Sequence, residues 1–220
     1  MGKEAQAVGL REMNKLDKLQ RIKTAALDLF IANGFDETTT REIAARANVA
    51  MGTIFIYAES KRDLLFLIVN EDLEDCIRRA AAIIDPNAAL LANLLAVLRI
   101  HYAYFARNPV IARAALREMY FYQSGKQSQR FLATRDRLRT LLARVILEAL
   151  SNRQIATSES PEVVAQAIFA IYQVDLRLWL SEEKPRIGAG MDLLRRKIEL
   201  LICGLSPDKF ALQTGRSKRD

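Results

Sequence analysis

Apolar residues return every three or four positions along almost the whole chain, and no convincing strand alternation interrupts them. The first run, Leu19, Ile22, Ala26, Leu29 and Phe30, ends at Asn33-Gly34, where glycine suits a left-handed helix stop. Thr39 followed by Glu42 reads as a capping box for a second helix over about residues 40–47. Asn48-Val49 predicts a turn, and residues 51–57 a third short helix. Ser60, with Asp63 three residues on, caps a fourth that reaches about residue 82, with Leu64, Leu65, Ile68 and Leu73 as its apolar positions. Asp85-Pro86 predicts the start of a fifth, which ends near Asn108 because Pro109 disfavours helix before it. A sixth runs to about Tyr122, residues 123–128 read as a loop, and a seventh covers about 129–152. Ser160-Pro161 opens an eighth reaching about Leu180, and residues 182–190 read as another loop. The ninth carries Met191, Leu194, Ile198, Leu201 and Leu205. The expected fold is all-α, about nine helices, with a small three-helix unit followed by a larger helical bundle.

Composition agrees. Half of the 220 residues are hydrophobic, while glycine (9) and proline (5) are few, which favours helix throughout. The net charge of +7 suits an anionic partner. Residues 1–60, however, hold eight basic and eight acidic residues, so the excess lies downstream and marks no binding surface there. Cys76 and Cys203 are far apart, with no paired framework or metal spacing, as in a reduced cytoplasmic chain. No signal-peptide pattern opens the sequence, and no uncharged apolar run has membrane-spanning length.

Two short helices joined by a tight turn and packed on a longer one form a helix-turn-helix. Ile43, Ala44, Ala47, Val49 and Ile54 can seal its small core, and the two alanines allow close helix approach. The third helix is then left with an outward start and an outer face suited to phosphate and to a major groove. Thr39-Thr40, Ile43-Ala44, Val49, Gly52-Thr53-Ile54-Phe55, Tyr57 and Ser60-Lys61 together resemble the helix-turn-helix of TetR/AcrR-type transcriptional regulators. The resemblance covers about residues 19–65. The family usually carries a basic or polar residue at Met51, a polar one at Ile56 and an aromatic at Ala58.

Position by position, the resemblance implies that Thr40, Thr53, Tyr57 and Lys61 bind DNA phosphates. It implies that Arg41, Ala50, Met51, Gly52 and Ile56 face the groove. With apolar Met51 and Ile56, van der Waals contact with thymine methyls and shape readout carry more of the specificity. Arg11, Lys15 and Lys18 share one helical face and could touch flanking backbone, although a charge stripe is usually a solvated face. The run Arg130, Arg135, Arg137, Arg139 and Arg144 is read as a solvated face in the same way.

The eighth helix is apolar nearly all round, which predicts burial against a second subunit. In the resembled family the last two long helices form a two-fold interface, here Val164, Ile168, Ile171, Leu194, Ile198, Leu201 and Leu205. Aromatic and polar residues concentrate at His101, Phe105, Tyr120, Phe169, Tyr172, Gln173, Asp175 and Trp179. They describe either an aromatic core or a small-molecule pocket, and the resemblance favours the pocket. One histidine, no nucleophile elbow and no phosphate-cradling glycine loop argue against an enzyme.

The expected organisation is a flexible arm over residues 1–14 and a DNA-binding unit over 15–60. A ligand-binding and dimerisation unit follows over 61–206, with helix 61–82 linking the two, and then a basic tail over 207–220. The resemblance implies a cytoplasmic homodimeric repressor that binds a palindromic operator and is released by a small molecule, without a cofactor. A helical adaptor that uses a helix-turn-helix-like unit to bind protein, with no inducer, is the competing reading.

Overall fold

The computed structural model describes residues 2–204, with side chains from residue 12 onward. Among these residues run nine α-helices and no strand. α1 (Gly2–Asn33) stops at Gly34, whose φ of +85° costs little without a Cβ, and the Gly34 amide donates to Phe30 O at 3.1 Å. Within the residues expected to form an N-terminal arm, the backbone is helical from Gly2 onward. Residues 3–16 are mostly Lys, Glu, Ala, Gln, Leu, Arg and Met, and they extend a helix already nucleated downstream.

α2 (Thr40–Arg46) opens on the predicted box: Thr39 Oγ1 accepts from the Glu42 amide at 3.2 Å, and Glu42 Oε2 accepts from the Thr39 amide at 2.7 Å. Asn48, at φ +50°, turns the chain into α3 (Met51–Tyr57). Ser60 then caps α4 (Lys61–Ala82), accepting from the Asp63 amide at 3.1 Å. Ile22, Phe30, Ile43, Ala44, Ala47 and Ile54 bury the small unit's core, and Val49 is half-buried beside them.

α5 (Leu90–Arg107) starts later than its Asp-Pro signal predicts. Asp85 instead caps a turn: its Oδ1 accepts from the Asn87 amide at 2.9 Å and its carbonyl from the Ala88 amide at 3.0 Å. Asn93 locks that turn by exchanging two hydrogen bonds with the Asp85 backbone. Asn108 ends α5 and caps α6 (Pro109–Glu118). α7 (Ser128–Ser151), α8 (Pro161–Ser181) and α9 (Ile187–Cys203) complete the bundle. α9 begins within the predicted loop, four residues before Met191. α8 packs on α7 and α9, and α9 also packs on α5.

By length and composition α8 resembles a membrane-crossing helix, but it carries Asp175 and Arg177 and buries one side in the bundle. Its other side leaves Val163, Val174 and Leu178 exposed, beside Leu193, Leu200 and Leu201 of α9. Of the predicted subunit-interface residues, Ile168, Leu194 and Ile198 are corrected. Each is 0% exposed within the protomer's own core, and a side chain so enclosed has no surface left for a partner. Val164 and Ile171 are half-buried, Leu201 is exposed, and Leu205 lies outside the described residues, as does the expected tail over 207–220.

Gly190 makes the α9 crossing possible. A Cβ there would fall 2.7 Å from Trp179 Cδ1 and 2.8 Å from Tyr102 Cε1. Both rings are buried and packed at a tilt, 4.8 Å between centroids, so neither can retreat freely. Gly190→Ala is therefore expected to destabilise the fold by about 1–3 kcal/mol, the cost of overpacking. Urea unfolding checks this, with the midpoint falling at constant slope.

Candidate functional site

The reading head is assembled around Arg21, which the sequence pattern does not single out. Its guanidinium donates to Ala47 O (Nε 3.0 Å, Nη2 2.6 Å) and to Asn48 O (2.5 Å). It thereby satisfies carbonyls left over where α2 ends and fixes the turn into α3. Arg117 of α6 grips Asp36, after α1, with two bonds of 2.8 and 2.7 Å, and holds that carboxyl below its ordinary range. The α1–α2 corner is thus tied to the bundle.

Every residue implied to contact DNA reaches the surface, and none is buried. Arg41, Ala50, Gly52 and Ile56 are exposed, while Thr40, Met51, Thr53, Tyr57 and Lys61 are half-buried. Two of them already have internal partners. Tyr57 OH donates to Lys15 O at 3.2 Å, and Lys61 Nζ donates to Asp36 O at 2.7 Å while lying 4.7 Å over the Phe35 ring. Phe55 is a missed surface residue, 49% exposed beside Ile56 at 63%. Its signal was present: Ile54 takes the single buried position of α3, so its neighbours must turn outward. Lys15 and Lys18 are exposed on α1, and the Arg11 side chain lies outside the described residues.

Within the bundle, residues of α4 to α8 line a cavity of about 40 Å³. His101, Phe105, Phe169, Tyr172 and Gln173 line it, as the sequence suggests. Leu73, Ile77, Leu116, Met119, Phe131, Leu138 and Leu176 complete its apolar wall, with Thr134 and Arg135 as polar members. Burial pushes the His101 imidazole down to about 4, so it is neutral at pH 7, and pushes the Tyr172 hydroxyl well above its ordinary value.

Three predicted pocket residues are elsewhere. Tyr120 is 63% exposed at the end of α6, beneath the Arg177 guanidinium. Asp175 faces α9, where its carboxylate receives Lys197 Nζ. Trp179 packs on Tyr102 and donates its indole N–H to Arg186 O at 2.9 Å. Helical phase along α8 turns Asp175 and Trp179 away from the cavity, whereas Tyr120 lies in the turn after α6.

Arg135 reverses the reading of the arginine run as a solvated face. Arg130 forks onto Glu74 with two 2.7 Å bonds, but Arg135 lies over the Phe169 ring with its Nε buried and unpartnered. The signal existed in the sequence: Phe131, Arg135, Leu138 and Leu142 are spaced four, three and four, which places a cation in an apolar stripe.

Residues 22–68, from α1 to the buried part of α4, match the family described as bacterial regulatory proteins, tetR family. The chain is 24% identical over 199 residues to the fatty acid metabolism regulator protein of Bacillus subtilis, covering 87% of this chain and 97% of that one. It is 24% identical over 186 residues to the HTH-type transcriptional repressor KstR of Rhodococcus jostii, covering 84% and 83%. Among solved structures, FadR from Bacillus subtilis in complex with stearoyl-CoA superposes with a TM-score of 0.68 at 22% identity, over 85% of this chain and 99% of that one. Thermus thermophilus FadR, in complex with lauroyl-CoA, gives 0.65 at 23%, over 86% and 95%. These superpositions carry the fold over the bundle as well as the head. The family match is seated on the helices that present Arg41 and Ile56: residues 22–68 form a DNA-binding head of the tetR family, and the chain is a DNA-binding transcriptional regulator.

Proposed function

We propose that this regulator is a cytoplasmic homodimeric repressor whose inner cavity takes an acyl-CoA-type ligand, and that ligand binding releases a palindromic operator. In this reading residues 15–60 bind DNA, residues 61–206 bind ligand and the second subunit, and α4 links them. The observation that carries it is the cavity: a wall of apolar side chains with one buried guanidinium nitrogen, Arg135 Nε, that has no partner. A buried donor left unpaired costs free energy, and a ligand carbonyl or phosphate oxygen beside an apolar chain relieves it. The acyl-CoA complexes of the two FadR structures and the name of the Bacillus subtilis relative support the same ligand class.

At about 40 Å³ the cavity holds a few waters at most. An acyl chain is far larger, so its binding forces the wall apart, and that displacement is the physical basis for release. The exposed apolar residues Val163, Val174 and Leu178 of α8 and Leu193 and Leu200 of α9 support subunit pairing through these two helices, because exposed apolar surface favours burial. Two heads one turn of DNA apart then read two half-sites.

Three outcomes test this reading. Arg41→Ala is expected to weaken binding to a DNA fragment selected by the wild-type protein by about tenfold or more and to relax base preference, whereas Thr53→Ala weakens all sequences alike. Fluorescence titration across a base-substituted panel measures both. Leu178→Asp is expected to give folded monomers in sedimentation, since it places a charge on the proposed seam. Arg135→Met is expected to lower affinity for lauroyl-CoA by about tenfold or more in calorimetry, the scale of one lost charge-assisted hydrogen bond, with DNA affinity retained.

A further inference from the structure

The last carbonyls of an isolated helix are left to water, but those of α3 are taken by side chains from the segment that follows α6. Lys126 Nζ donates to the carbonyls of Phe55 and Ile56, and Gln127 Nε2 donates to that of Tyr57 at 3.1 Å. Both side chains belong to the segment between α6 and α7, about seventy residues downstream of the helix they cap.

That segment is fixed by one carboxylate. Asp63 is 0% exposed. Its Oδ2 accepts from the Glu59 amide at 2.8 Å and the Lys126 amide at 3.1 Å. Its Oδ1 accepts from Tyr122 OH and from the Gln127 amide at 3.4 Å. Gly125 closes the turn at φ +118°, and a Cβ there would lie 3.0 Å from Asp63 Cγ and nearer still to Oδ1. Buried Asn70 adds a bond from its Nδ2 to Gln127 O at 3.1 Å.

The segment also begins and ends in the cavity wall. Met119 precedes it and Phe131 follows it, and both line the cavity. Phe66 stacks on Tyr122 at 4.2 Å and lies 4.7 Å from Phe131, so the cavity's wall ring and the ring that holds Asp63 share one neighbour.

We propose that Lys126 and Gln127 are positioning residues of the DNA-reading helix, that Asp63 is the hub holding them, and that movement of the cavity wall at Phe131 reaches α3 through this joint. The link is separate from any tilt of α4 as a lever. It deepens the repressor reading and rests on it for its biological consequence, but the joint can be measured in the free protein.

The experiment is hydrogen exchange of the α3 amides, with α2 as internal control, because the joint touches α3 and not α2. In Lys126→Ala and Gln127→Ala, exchange of α3 is expected to rise by about tenfold while α2 is unchanged, and Lys126→Arg is expected to restore most of the protection. Gly125→Ala, which removes no donor and displaces Asp63, is expected to do the same. Phe131→Leu, a change in the cavity wall, is expected to raise α3 exchange selectively as well. Affinity for DNA selected by the wild-type protein is expected to fall in parallel. Unchanged α3 exchange in both Lys126→Ala and Gln127→Ala, or a rise shared equally by α2, overturns the positioning role. Unchanged α3 exchange in Phe131→Leu overturns the route from the cavity. A wild-type protein that selects no DNA overturns the repressor reading and leaves the exchange result to decide the joint.

Discussion

Eight consecutive residues of α4, Asp63 to Asn70, are buried. A helix normally hides one stripe, so burial on every side demands neighbours on every side. α1 and α3 supply them toward the reading head, and α5, α6 and α7 supply them toward the bundle. Because this stretch belongs to both, the hydrophobic core runs without a break from Ile22 to Ile198. The head is therefore not a separate bead on a linker. The polar residues at the two ends of the buried stretch, Asp63 and Asn70, require partners in a region without solvent. Asp63, and Asn70 through its Nδ2, find them in the segment after α6, which is how that segment comes to lie against the reading helix.

The same enclosure explains the cavity. Five helices meet around aromatic and branched side chains that cannot tile the space completely, and a void of about 40 Å³ remains between α4 and α8. Void walls forgo dispersion contacts, and an unpaired guanidinium nitrogen inside such a wall adds a desolvation cost. A protein under selection for stability alone would fill the void and turn Arg135 outward. That both features sit together in the bundle's centre, against the segment that caps α3, argues that the space serves recognition.

Much of this was legible in the chain because it is local. The stop at Gly34, the box at Thr39 and Glu42, and the caps at Ser60 and Ser160 each need only a few neighbouring residues, and all appear where the pattern puts them. The failures are also instructive. Asp85-Pro86 carries the same chemistry as a helix cap, but a turn uses it equally well, and only Asn93 eight residues away decides between them. Ile198 and Leu201 share one apolar pattern, although one is sealed inside the protomer and the other is open. Periodicity reports which face is apolar. It does not report what covers that face.

By itself the sequence determined the helices and the helix-turn-helix, since each depends on hydrogen bonds and side-chain spacing within a few turns of chain, and the family resemblance supplied the candidate reading residues. Tertiary structure alone decided which aromatics line the cavity, that Arg135 enters it while Arg130 pairs with Glu74, and that Lys126 and Gln127 cap a helix about seventy residues upstream. Those outcomes turn on helical phase and on contacts between distant elements, and the energy of such contacts is not defined until the elements have met.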